Sequence, residues 1–197
     1  MKKTIFLFQA ACIALWTGCQ QPSTSPVLLD EAQHVDPFIG TGFHGHTFPG
    51  ATRPHAMVQL SPDTHIMGWD ASSGYHYDDN QIYGFSHTHL SGTGIGDLGD
   101  VALLPYSGED SIKPIATFKK ETEKATPGYY AVRLDNFGIN VELTSTDRVG
   151  FHKYSYDNPK ERRVMLDLGH ILQPNWGHRL VNNEYLFVND SIVEGTI

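Results

Sequence analysis

Residues 129–134 read Tyr-Tyr-Ala-Val-Arg-Leu, so in an extended chain Tyr130, Val132 and Leu134 share one face and Ala131 and Arg133 the other. Similar short runs, rich in β-branched and aromatic residues, recur at 56–60, 101–104, 139–144, 150–156, 164–168 and 185–188. Turn chemistry separates them, as in Asp135-Asn136-Phe137-Gly138, Asp157-Asn158-Pro159 and Asn182-Asn183. Short strands at close spacing with little helix predict an all-β fold, an antiparallel β-sandwich. The one helix candidate, 118–125, is charged and precedes Pro127-Gly128, which predicts a surface turn or two. Residues 188–197 predict a strand, a turn at Asn189-Asp190 and a returning strand from Ser191. The chain stops inside that strand, so the sandwich is expected to be incomplete at its C-terminus.

Residues 35–99 have a different texture, dense in Gly, His, Pro and Asp with short apolar runs. They hold Phe38, Phe43, Phe48, Trp69, Tyr75, Tyr77, Tyr83 and Phe85, too many aromatics for a disordered segment. The expectation is an ordered loop platform on a sheet.

The N-terminus predicts export. Lys2 and Lys3 precede a mostly apolar run at 5–16, shorter than the roughly 20 residues that cross a bilayer. Leu15-Trp16-Thr17-Gly18-Cys19 looks like a bacterial lipoprotein cleavage box, with Trp16 its one irregular position. Residues 1–18 are therefore read as a signal peptide, Cys19 as the lipidated residue and 19–33 as anchor and tether. The expected location is the periplasm, outer membrane or cell surface, with the membrane reached through the lipid. Cys12 and Cys19 are the two cysteines, so no thiol remains for catalysis or zinc once Cys19 is acylated. Loss of 1–18 removes two lysines and takes the net charge from −8 to −10, an unfavourable balance for nucleic acid. The domain expected to follow is 34–197.

Three patterns carry chemical meaning. His44-Gly45-His46 and His87-Thr88-His89 are His-x-His pairs that could chelate a metal from one strand face. The competing reading, which the absence of a carboxylate at ligand spacing favours, makes them hydrogen-bonded loop anchors or sugar contacts. Gly94-Ile95-Gly96-Asp97-Leu98-Gly99 has dinucleotide-fingerprint spacing, but an apolar strand rather than a helix follows. Its glycines are read as tight turns beside a binding surface. Asp36, Asp63, Asp70, Asp78, Asp79, Asp97 and Asp100 supply carboxylates, most of them expected to form turns, with Asp97 and Asp100 the two to watch. Trp69, between Gly68 and Asp70, is either a platform for the apolar face of a sugar or a core residue.

Longer motifs make a specific resemblance. Val35-Asp36-Pro37-Phe38-Ile39-Gly40-Thr41-Gly42, His44 through Thr52, Met57 through Thr64, Gly68-Trp69-Asp70 and Ser73-Gly74-Tyr75-His76-Tyr77 resemble the N-terminal domain of glycoside hydrolase family 92, the calcium-dependent exo-α-mannosidases. Gly84-Phe85-Ser86-His87-Thr88-His89-Leu90-Ser91-Gly92-Thr93-Gly94 and Asp97-Leu98-Gly99-Asp100 extend it.

The resemblance implies a sandwich that packs on a larger (α/α)6 barrel, with a mannose site between them and hydrolysis by inversion. It implies that acid, base and calcium ligands lie on that barrel, which is absent here, so no catalytic or metal-binding residue is assigned to this chain. The implied sugar contacts are Trp69, Gly50, His87, His89 and Asp97. The implied partners are mannose-containing glycans, such as α-1,2-linked mannan or N-glycans, and the missing barrel. The alternative is a free-standing carbohydrate-binding lipoprotein that uses the same loops.

Overall fold

The computed structural model describes residues 30–197, apart from 66 and 110–112. Residues 1–29, which hold Cys12, Cys19 and nearly all of the expected signal peptide and tether, lie outside the described residues. No helix among the described residues is long and apolar enough to cross a membrane.

The alternation at 129–134 forms β8 (Tyr129–Leu134), and the turn after it leads into β9 (Ile139–Ser145). Gly138 closes that turn at φ 65°, with its N–H donating to Leu134 O at 2.9 Å. The register pairs Tyr130 with Leu143, Val132 with Val141 and Leu134 with Ile139, so all six point to one buried face. β10 (Gly150–Tyr156) and β7 (Lys124–Thr126) complete a four-stranded antiparallel sheet in the order β10-β9-β8-β7.

The facing sheet has β1 (Ala51–Thr52), β2 (Gln59–Asp63), β4 (Gly84–Ser86), β5 (Ala102–Tyr106) and β11 (Arg163–Asp167), ordered β1-β2-β4-β5-β11. Ala51, Leu60, Phe85 and Leu104 meet the inward residues of β8 and β9 in one core. Burial of these apolar side chains between two sheets holds the sandwich together. β3 (Gln81–Ile82) pairs with β6 (Ala116–Thr117), and β12 (Glu184–Asn189) with β13 (Ile192–Thr196). The second pair is exposed along its whole length.

The expected antiparallel sandwich is the fold observed, with three corrections of detail. The strand expected at 56–60 runs over Gln59–Asp63, because Ser61, Pro62 and Asp63 are buried and paired with β4 rather than turning. Gly84–Ser86, read as loop, is a core strand. The 118–125 segment has a 3-10 turn at Lys120–Thr122, but Phe118 before it is 3% exposed and belongs to the core.

Candidate functional site

Trp69 opens a 3-10 turn (Trp69–Ala71) and is 50% exposed, so the core alternative does not hold. Its indole meets His46 edge-on at 4.4 Å between ring centres and His44 at 5.2 Å. Asp70 is hydrogen-bonded to His44. Gly94 borders the same indole: a Cβ there would lie 3.2 Å from Trp69 Nε1 and 3.1 Å from His46 Nδ1. Phe43, His46, Leu98 and Gln173 around this region all have positive φ, a conformation costly for residues with a Cβ. Beside the indole is a cleft of about 320 Å³ lined by His65, Met67, Trp69, Asp70, His76 and Asp79. A larger groove of about 770 Å³ runs between β11 and β12–β13, but Leu103, Val164, Leu166 and Phe187 make it apolar and it has no carboxylate or imidazole.

The other expected contacts are placed differently. Gly50 is buried; a Cβ there would sit 2.2 Å from Leu60 O, so close backbone packing accounts for the glycine. His87 and His89 face inward and point to different partners. Asp97 keeps a half-exposed carboxylate, bonded to His178 and accepting the N–H of Leu98 at 2.9 Å. Of the five, Trp69 and Asp97 expose their side chains, and Gly94 borders the indole.

His89 packs under Phe48 and donates from Nδ1 to Gln59 O at 2.6 Å and from Nε2 to Asp63 Oδ1 at 2.8 Å. Ser86 Oγ lies 3.1 Å from the same Nε2, so the ring is held on both sides by polar partners. His170 Nε2 donates to the other oxygen, Oδ2, at 2.9 Å. Burial alone would raise the Asp63 pKa, but His89, and then the hydrogen bonds from both imidazoles, hold it down at about 2. Burial opposes charge on His170 too, yet Asp63 raises its pKa. Asp63, expected to be a turn former, is thus a wholly buried anion. Gly74 makes room for it, since a Cβ there would be 2.3 Å from Asp63 Oδ1.

His87 belongs to a second network. Its Nδ1–H donates to Val101 O at 2.6 Å, which leaves Nε2 to accept from His152 Nε2–H at 3.1 Å. His152 Nδ1 in turn accepts from Tyr154 O–H at 2.8 Å. Burial, and then the neighbouring His87, lowers the His152 pKa to about 3, and burial lowers that of His87. The His-x-His spacing therefore does not converge: His87 looks to β10 and His89 to β2.

Calcium takes about six to eight oxygen ligands. Among the described residues no group of three His, Cys, Asp or Glu side chains could hold a metal ion, and the two imidazoles that meet at Asp63 donate to its carboxylate. Asp70, Asp97 and Asp100 are each engaged, the last by Thr88 at 2.7 Å. The described residues do not fit the ion.

Solved proteins of known family share this architecture. A family GH92 alpha-mannosidase from Bacteroides thetaiotaomicron, solved with mannoimidazole, is 36% identical with a TM-score of 0.79, over 83% of this chain and 22% of that one. An inverting mannosidase of the same family from strain VPI-5482 is 27% identical with a TM-score of 0.59, over 69% of this chain and 19% of that one. An uncharacterized secreted glycosidase of Arthroderma benhamiae is 32% identical over 158 residues, 72% of this chain and 20% of that protein. The chain thus spans about a fifth of the length of these relatives. Residues 34–197 match the glycosyl hydrolase family 92 N-terminal domain, and the chain belongs to that family.

Proposed function

We propose that residues 34–197 are the sugar-facing domain of an exported exo-α-mannosidase, anchored by lipid at Cys19, with its acid, base and calcium ligands outside this segment. The observation that carries the reading is the half-exposed indole of Trp69, held beside a polar cleft by an ordered loop. An indole face covers the apolar face of a hexose, while nearby His and Asp groups can bond its hydroxyls. Asp70 and Asp79 line that cleft with His65 and His76, whereas Asp97 lies outside its lining, paired with His178. Gly50, His87 and His89 act behind it by holding the loops. The similarity to two mannosidases supports mannose as the sugar, and the secreted relative supports export.

The test is mannose release from α-1,2-mannobiose with calcium present. The 197-residue chain is expected to release none, and the product of the whole reading frame to be active. Trp69→Ala in the latter should lower kcat/KM about tenfold to a hundredfold, the loss of roughly 1–3 kcal/mol of stacking and burial. Turnover by the chain alone would overturn the placement of the chemistry. An unchanged kcat/KM in Trp69→Ala would overturn the platform.

A further inference from the structure

We infer that Gln173, 105 residues after Gly68 in the sequence, is a positioning residue for the Trp69 platform. The inference rests on reading Trp69 as the sugar-stacking residue, but its physical content, that Gln173 sets where the indole sits, stands without any sugar.

Gly68 precedes the indole and has φ 101° and ψ 143°, a backbone closed to residues with a Cβ. No side chain caps the turn that begins there. Its local bond is long, from Ala71 N–H to Gly68 O at 3.3 Å. Gln173 supplies what the turn lacks: Gly68 N–H donates to Gln173 Oε1 at 2.7 Å, and Gln173 Nε2 donates to Gly68 O at 2.8 Å. One primary amide thus meets both backbone groups of a single residue, and the donor and acceptor of Gly68 fix which way the amide points.

Gln173 is itself firmly seated. It is 2% exposed and adopts the left-handed region at φ 53°. It lies against Gly96, where a Cβ would fall 1.6 Å from its Cγ. Leu172 packs on Gly99, where a Cβ would be 2.6 Å away, and its N–H donates to Leu98 O at 3.1 Å. His170 is bonded to Asp63, and His178 to Asp97. The segment 170–178 is thereby tied to the loop that bears Trp69 and to the Gly-rich loop beside it. A binding group held before its ligand arrives loses less entropy on binding, so the clamp makes Trp69 a preset surface rather than a mobile one.

The test labels the chain with 5-fluorotryptophan and reads fluorine NMR. Trp69 and Trp176, which remain once residues 1–18 are removed, give two signals, assigned by single Trp→Phe variants. Gln173→Leu keeps the volume and removes both bonds; the Trp69 signal should shift towards the position of a solvated indole. Gln173→Glu gives the sharper readout. Its protonated acid offers the same acceptor and donor, whereas its carboxylate would face Gly68 O. The Trp69 signal should therefore be displaced at pH 8 and return towards wild type on acidification, after subtraction of the wild-type titration, which carries His44, His46 and Asp70. A Trp69 signal that stays at the wild-type position in Gln173→Leu, and in Gln173→Glu at every pH, would overturn the inference. If Gln173→Leu does not fold, the Gln173→Glu titration decides alone. A sugar-binding failure in Trp69→Ala bears on the platform reading and leaves this result untouched.

Discussion

His170 donates to Asp63 across 107 residues of sequence, at 2.9 Å, with the Asp63 side chain closed to solvent. His89 holds the other carboxylate oxygen, so one buried anion joins β2, the loop after β4 and the segment after β11. A buried charge with two donors becomes a liability once either side of the pair is removed. Asp63→Asn should cost about 3–5 kcal/mol, read as a lower urea midpoint at neutral pH. Wild-type stability in this variant would mean that Asp63 carries no charge in the fold.

The titrating groups predict stability limits on both sides. Asp63 is lowered to about 2, so its contribution is present above the ordinary carboxyl pKa of ~3.9 and is lost as pH falls towards 2. His152 is lowered to about 3, so its contribution is present above ~6.5 and is lost as pH falls from there towards 3. His170 is raised, so its contribution is present below ~6.5 and is lost as pH rises through its folded pKa. Urea midpoints against pH should fall on both limbs. His152→Gln should flatten the acid limb and His170→Gln the alkaline one; parallel curves for variant and wild type would refute the assignment.

Glu123 has a side chain 2% exposed and accepts from Tyr130 O–H at 2.6 Å, Tyr75 O–H at 3.0 Å and Lys120 Nζ at 3.1 Å. Burial, and then Glu123, raises both phenol pKa values, so the hydroxyls remain donors. Tyr130→Phe should cost about 1–2 kcal/mol, and Glu123→Ala about 3 kcal/mol or more because it leaves several buried donors unpaired. Equal losses from the two variants, measured by thermal melting, would argue against a shared network.

β12 and β13 pair with each other but are exposed throughout, whereas β8 and β9 bury alternate residues in the core. Amide hydrogen exchange should therefore be lost first from Glu184–Asn189 and Ile192–Thr196 and last from Tyr129–Leu134 and Ile139–Ser145. Comparable protection in both regions would show that the hairpin is covered in solution.

Much of the fold could be read from the chain because its signals are local. β8 and β10 fall on their predicted residues, and β9 runs one residue beyond. Alternation and turn residues act over a few positions, and nothing distant overrides them in the four-stranded sheet. β2 and β4 were harder, because Ser61, Pro62, Asp63 and Gly84 are turn formers by composition. They lie in strands because β2 and β4 are buried on both faces, and burial decides where propensity is weak. In the candidate site, the setting of Trp69 between Gly68 and Asp70 left a platform and a core residue both open, and only its 50% exposure decided between them. The inward direction of His87 and His89 was not legible, since a His-x-His spacing is uninformative once the segment leaves a regular strand.

The sequence by itself determined the all-β class, the positions of β8 and β9 with the turn between them, and membership of family 92 through long runs of matching motif. Tertiary structure alone decided which of many histidines and aspartates are interior and which residue holds the indole. The reason is physical. Strand pattern is a property of neighbours, whereas the bonds from His89 and His170 to Asp63 and from Gln173 to Gly68 join residues 26, 107 and 105 positions apart. Their partners exist only after two sheets and three loops have packed, and no local propensity encodes which amide or imidazole will then point at which acceptor.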